Sequence, residues 1–353
     1  MHQTMATALA VVTISTALLA PGPAAHAGTA VTCGGLTATI VRGDGDDVVQ
    51  GTTGDDVVVL GGGRDYYDDP GGDDVVCGGG GSDDIRPGSG TDLVLGGPGD
   101  DDVTDGPGTD SFRGGPGLDG LSFDGDGLRL DIGSGHERGS GRDSFADVEA
   151  FYGTPGDDRV VGTSGPDGFG GNGGDDDVAL GGGADQAQVM AGSRVDGGAG
   201  RDHLVVQERS VAVGGAGQDF LESVLGSPRL LGGRGADVLQ ANLSTPSVRG
   251  GSGRDTFGGW FGAEGMSVDL AAGTAESPVA GGFAVVGVED VTGTAYDDVL
   301  RGDDGPNRLL GGGGADRLGG RRGADVLDGG DGPDRANGGP GQDTCSAEVV
   351  VGC

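Results

Sequence analysis

Aspartates recur in this chain at a spacing that carboxylate chemistry can use. Asp47, Asp56, Asp65, Asp74, Asp83, Asp92, Asp101, Asp110 and Asp119 stand nine residues apart, each two residues after a glycine and two before an apolar side chain. The spacing returns at Asp158, Asp167, Asp176 and Asp185, roughly doubles through Asp202, Asp219, Asp237 and Asp255, and returns again at Asp298, Asn307, Asp316, Asp325, Asp334 and Asp343. Of 56 acidic residues only 8 are Glu. A solubilising surface has little reason to exclude the longer acid, whereas a site that holds a carboxylate against its own backbone turn does. Rows of hard oxygen donors on short stems point to a cation.

The elements that would position them follow from the same unit. Gly-rich positions supply turns that a side chain would crowd. A three-residue strand follows, with its middle residue (Val49, Val58, Tyr67, Val76, Ile85, Val94, Val103, Phe112, Leu121) pointing inward. Two units close one coil of 18 residues, which sets Asp47 over Asp65 and Asp56 over Asp74 at the strand spacing of about 4.8 Å. Stacked carboxylates at that distance repel by roughly 3 kcal/mol per pair at an effective dielectric near 20. Calcium relieves the conflict, because it takes six to eight oxygens, carboxylate and carbonyl alike, in forgiving geometry; magnesium demands a stricter octahedron. Zinc prefers Cys and His.

Composition sets the conditions. The 353 residues include 85 glycines, few aromatics and a net charge of -35; without the repeat such a chain is expected to stay disordered. Every basic residue is Arg. The negative charge disfavours nucleic acid and anionic membranes as partners. Residues 1–27, with an apolar run from Ala6 to Ala20 and an Ala25-His26-Ala27 cleavage site, read as a secretory signal peptide, too short for a membrane span. Four cysteines remain in the exported chain. Cys345 with Cys353 is the local pair, and Cys33 with Cys77 would tie the N-terminus to the repeats, although spacing alone leaves three pairings open. No helical periodicity occurs beyond the signal peptide.

The expected architecture is an all-β parallel β-roll or β-helix with two similar β inserts. Residues 28–123 form an N-terminal cap and first array, 124–152 an insert, 153–259 a second array, 260–295 a second insert, and 296–353 a third array with a disulfide-capped end. In the doubled section, the acidic turn should persist on one edge only, with SVAVGG and PRLLGG as strand and turn.

The units GGGGSDDIR, DGPGTDSFR, GGPGLDGLS, GGGGADRLG and GGPGQDTCS resemble the Gly- and Asp-rich nonapeptide of the RTX, or haemolysin-type, calcium-binding repeat proteins. That resemblance implies a roll with several calcium ions between successive turns, ordered when calcium is present. Leu60, Asp69-Pro70, Pro87 and Asp105 depart from its glycine positions. The N-terminal signal departs from the C-terminal secretion signal of many members.

Catalytic motifs are absent: no H-E-x-x-H, no G-x-S-x-G, and His136 and His203 read as solvent-facing. Gly168, Gly170 and Gly173 spell G-x-G-x-x-G without a strand-helix unit around them. Asp131, Glu149, Asp269 and Glu289 recur in both inserts, where a turn or packing role is expected, and Trp260-Phe261 would pack the second insert on the roll. The expected function is a secreted, non-catalytic calcium-binding protein. The alternatives are a carbohydrate-active enzyme on a β-helix and a calcium-stiffened adhesin on cell-wall or extracellular polymer.

Overall fold

The computed structural model describes residues 30–139, 141–242, 247–260, 264–278 and 281–353. The signal-peptide reading of 1–27 and the packing roles of Phe261 and the Trp260 side chain lie outside the described residues. Glycine turns alternate with short strands throughout, and the described residues hold no helix, so none that could cross a membrane.

Successive strands alternate between two sheets, and each pairs in parallel with the strand one coil away. Tyr66–Asp68 lies between Val48–Gln50 and Asp84–Arg86 in one sheet, while Val75–Gly80 lies between Val57–Gly62 and Leu93–Leu95 in the other. Residue i therefore stacks on residue i+18, as with Val57 on Val75. One sheet collects sixteen strands this way.

The middle residue of nearly every coil strand enters the space between the sheets, and Tyr67, Phe151 and Phe257 are the largest fully buried side chains. The doubled section uses seven-residue strands, Val211–Gly217 and Arg229–Gly235, where SVAVGG and PRLLGG were expected as strand and turn.

Both inserts have the same design. Arg129–Asp131, His136–Arg138 and Ser144–Ala146 form an antiparallel meander whose outer strands rejoin the parallel sheet on Arg159–Val161 and Ser111–Arg113. Ser267–Asp269, Thr274–Ser277 and Gly281–Val286 repeat it, rejoining on Val299–Arg301 and on Ser247–Ser252. Each meander also delivers a phenylalanine to the core: Phe145 against Phe151, centroids 4.9 Å apart, and Phe283 against Phe257, 6.1 Å apart.

Two disulfides close the ends, Cys33–Cys77 and Cys345–Cys353. Cys33 sits on the small antiparallel hairpin Thr32–Cys33/Leu36–Thr37, so its bond pins that hairpin to the third coil strand. Because coils contact only their neighbours, its loss should loosen the first coils alone. Cys33→Ser is expected to lower their local stability by up to about 4 kcal/mol, read as faster amide exchange over residues 40–60 than over 200–240.

Candidate metal centre

At most turns an aspartate immediately before the strand folds back under its own glycine loop. The backbone N–H of Asp47 donates to Oδ1 of Asp65 at 2.8 Å, that of Asp65 to Asp83 at 2.9 Å, and so on through Asp101 and Asp119. The same edge resumes as Asp167, Asp185, Asp202, Asp219, Asp237 and Asp255, then as Asn307, Asp325 and Asp343. On the opposite edge the order is Asp56, Asp74, Asp92, Asp110, then Asp158 and Asp176, and Asp298, Asp316 and Asp334. All the acid positions expected from the sequence thus fall into two columns. Asp47 and Asp343, at the ends, are half-buried and the others are buried.

One oxygen of most of these carboxylates is spent on this ladder; the other is the notable one. Oδ2 of Asp65, Asp83, Asp101, Asp219, Asp237 and Asp334, among others, is buried with no hydrogen-bond partner. At Asp83, Asp101, Asp219, Asp237 and Asp334 it faces the glycine five residues earlier, whereas Leu60 holds that position before Asp65. A methyl group on Gly78 would lie 2.5 Å from Asp83 Oδ2 and 2.6 Å from the carbonyl oxygen of Gly96 in the next coil. Gly214 and Gly232 repeat these distances with Asp219 and Gly232 O, and with Asp237 and Gly250 O.

Each such glycine leaves a cradle one methyl group wide, lined by a carboxylate and a carbonyl from adjacent coils. No arginine supplies the missing charge: the ion pairs among the described residues engage Asp84, Asp147, Asp177, Asp196, Asp290, Asp269 and Asp304, none of them on a column. An all-oxygen, anionic, uncompensated donor set fits calcium.

The RTX calcium-binding nonapeptide repeat matches residues 42–68, 71–85, 86–121, 152–187, 229–257, 292–327 and 319–348, more than half of the chain. The chain belongs to this calcium-binding repeat family. No curated protein matches it. As an RTX roll, the molecule would hold calcium through the column aspartates and the turn carbonyls, and calcium when bound supplies the positive charge that the cradles lack.

Burial works against these carboxylates when they are charged. Desolvation, reinforced by neighbouring carboxylates, pushes Asp92 and Asp101 up to about 7. Asp74, Asp185, Asp219 and Asp316 are pushed up to about 6 for the same reasons.

Not all column acids share this environment. At Asp56, Asp158, Asp167 and Asp298 a threonine four residues earlier closes the turn, its N–H donating to Oδ2 at 2.9, 2.8, 2.6 and 2.6 Å. Asn307 is closed in the same way by the N–H of Asp303. These turns are satisfied by protein alone.

Thr163→Ala keeps the backbone donor of its turn but removes the hydroxyl that bonds Asp167 at 3.1 Å. It is expected to destabilise the calcium-free protein by about 1 kcal/mol, measured by urea titration in chelator.

Several functional positions escape the nine-residue grid. Asp143 continues the second column from inside the first insert, accepting from Asp110 N–H at 2.7 Å. Glu149 and Glu289, read from sequence as turn or packing residues, instead cap the first column on Asp119 and Asp255 N–H. Glu348 caps the second column on Asp334 N–H. Asp131 and Asp269 do serve turns, accepting from Ser134 and Ala272 N–H.

A further set of acids, Asp46, Asp55, Asp73, Asp100, Asp157 and Asp297, forms outer ladders by accepting from the coil that follows. The repeated Asp-Asp doublets were their signal. His136 and His203 are exposed.

Proposed function

We propose that the protein is exported and that its roll orders on binding calcium between successive coils, serving as a calcium-dependent structural or binding module without catalysis of its own. The observation that carries this reading is the column of buried Oδ2 atoms with neither a donor nor an arginine beside them. Asp65, Asp83, Asp101, Asp202, Asp219, Asp237 and their column mates are the ligands in this proposal. The Thr-closed turns at Asp158, Asp167 and Asp298 contribute less, because their second oxygen is already engaged.

Export fits the reading. Extracellular calcium modules commonly bind at about 10⁻⁴–10⁻³ M, so the chain would stay unfolded in a calcium-poor cytosol and fold outside. Binding to the folded form alone makes ordering and calcium uptake one linked process. Calorimetric titration of the mature chain with calcium, followed by circular dichroism, tests it: the expected result is heat release together with a gain of strand signal. A chain already fully ordered in chelator, taking up no calcium, overturns it.

A further inference from the structure

Asp69 and Asp105 stand where the repeat has glycine, and in the sequence they look like defects of the turn. Their place in the fold gives them another meaning. Each lies five residues before a column aspartate, Asp74 and Asp110, and so at the cradle position that Gly78 and Gly96 leave open for Asp83 and Asp101. The carboxylates of Asp105, Asp110 and Asp143 offer ligand atoms all within 4.8 Å of one another, and so do those of Asp56, Asp69 and Asp74.

All six residues are buried, Asp143 completely. Oδ2 of Asp143 and of Asp74 is buried without a hydrogen-bond partner, while Asp110 shares a side-chain hydrogen bond with Asp105. The donors present serve the other atoms: Asp110 N–H binds Asp143 Oδ1, Asp92 N–H binds Asp110 Oδ1, Gly71 N–H and Tyr67 O–H bind the two oxygens of Asp69, and the N–H and hydroxyl of Thr52 bind Asp56 Oδ2. Leu60 and Leu180, at the same position of their own turns, add only hydrocarbon.

We propose that Asp69 and Asp105 complete two three-carboxylate calcium sites on one edge of the roll, distinct in charge from the remaining cradles and filled before them. The inference rests on the calcium reading above and refines it. An ordinary cradle presents a carboxylate and carbonyls, whereas these two present three carboxylates across one coil boundary. Affinity in oxygen-ligated calcium sites rises with the count of ligand charges. Asp69 reaches across the boundary to Asp56 and Asp105 across the boundary to Asp143, so both sites clamp coils together near the N-terminal half and would order that half first.

The test is calcium titration calorimetry on the mature, disulfide-bonded protein and on Asp105→Gly, Asp69→Gly and the double variant. Glycine is the ordinary residue of this turn, so folding with saturating calcium should be kept, as checked by circular dichroism. The wild type is expected to show a tight class at least about tenfold above the rest; each single variant loses one site from it, and the double variant loses the class.

Terbium gives a second reading. Tyr67, hydrogen-bonded to Asp69, should sensitise emission at the first additions of the ion. That early emission is lost in Asp69→Asn, which keeps the side chain's shape, and persists in Asp105→Gly. If the variants bind calcium with the same number of tight sites and the same early emission, the inference fails while the calcium reading stands. If no form binds calcium, both fail.

Discussion

In chelator at pH 7.5 the protein is expected to lose most of its strand signal, and lowering the pH to about 5 without calcium should bring part of it back. The expectation follows from the direction in which the column carboxyls titrate. Their ordinary value is 3.8, and burial with neighbouring acids lifts several to about 6 or 7. A group raised on folding binds protons more readily in the roll than in the unfolded chain. Its contribution is therefore fully present below about pH 4 and is lost as pH rises through about 6 to 7. Protons thus act as the poorer substitute for calcium.

With calcium the trend reverses, because ligating carboxylates must be deprotonated and metal affinity climbs with pH. Circular dichroism over a grid of pH and calcium would show the two regimes crossing. A calcium-free protein most stable at pH 7.5 would contradict the assignment of uncompensated charge to the columns.

The second large effect is expected at glycines in the stacked turns. Gly235 has φ +130° and a β-carbon there would collide with the carbonyl oxygen of Gly217 in the coil below. Neither the left-handed backbone nor the overlap can be relieved without parting the coils. Gly235→Ala should cost about 3 kcal/mol or more, and the damage should spread to the adjacent coils because each is supported only by its neighbours. Gly319, with open space where its β-carbon would stand, is the control: Gly319→Ala should change stability by no more than about 0.5 kcal/mol. Thermal melts of both variants in saturating calcium would separate them, and equal melting points would refute the tight stacking.

The periodic part of the molecule was legible because its physics is periodic. A nine-residue spacing of Gly, Asp and an apolar residue dictates strand length, inward side chain and the i to i+18 stack, and the columns from Asp47 to Asp119 follow directly. The doubled section was equally readable, since retaining Asp202, Asp219 and Asp237 at every second turn leaves one edge acidic and gives the other to Ser193 and Ser210.

The exceptions to the period were not. Asp143 follows Asp110 by 33 residues because a meander intervenes, and a linear spacing cannot anticipate that return. Glu149, Glu289 and Glu348 reach the columns with a longer side chain from backbone outside the grid. The threonine closures were written in GTTGDD, GTPGDD, GTSGPD and GTAYDD, but their meaning depends on which oxygen the N–H meets. Asp69 and Asp105 read as lapses from glycine until the fold placed each beside another buried acid.

The most direct measurement is a crystal structure of the mature protein grown in calcium, with anomalous data that identify the ions. The account predicts ions at about 2.3–2.6 Å from Oδ2 of Asp83, Asp101, Asp219 and Asp237, shared between successive coils. Well-ordered coils whose buried Oδ2 atoms touch no ion would contradict it.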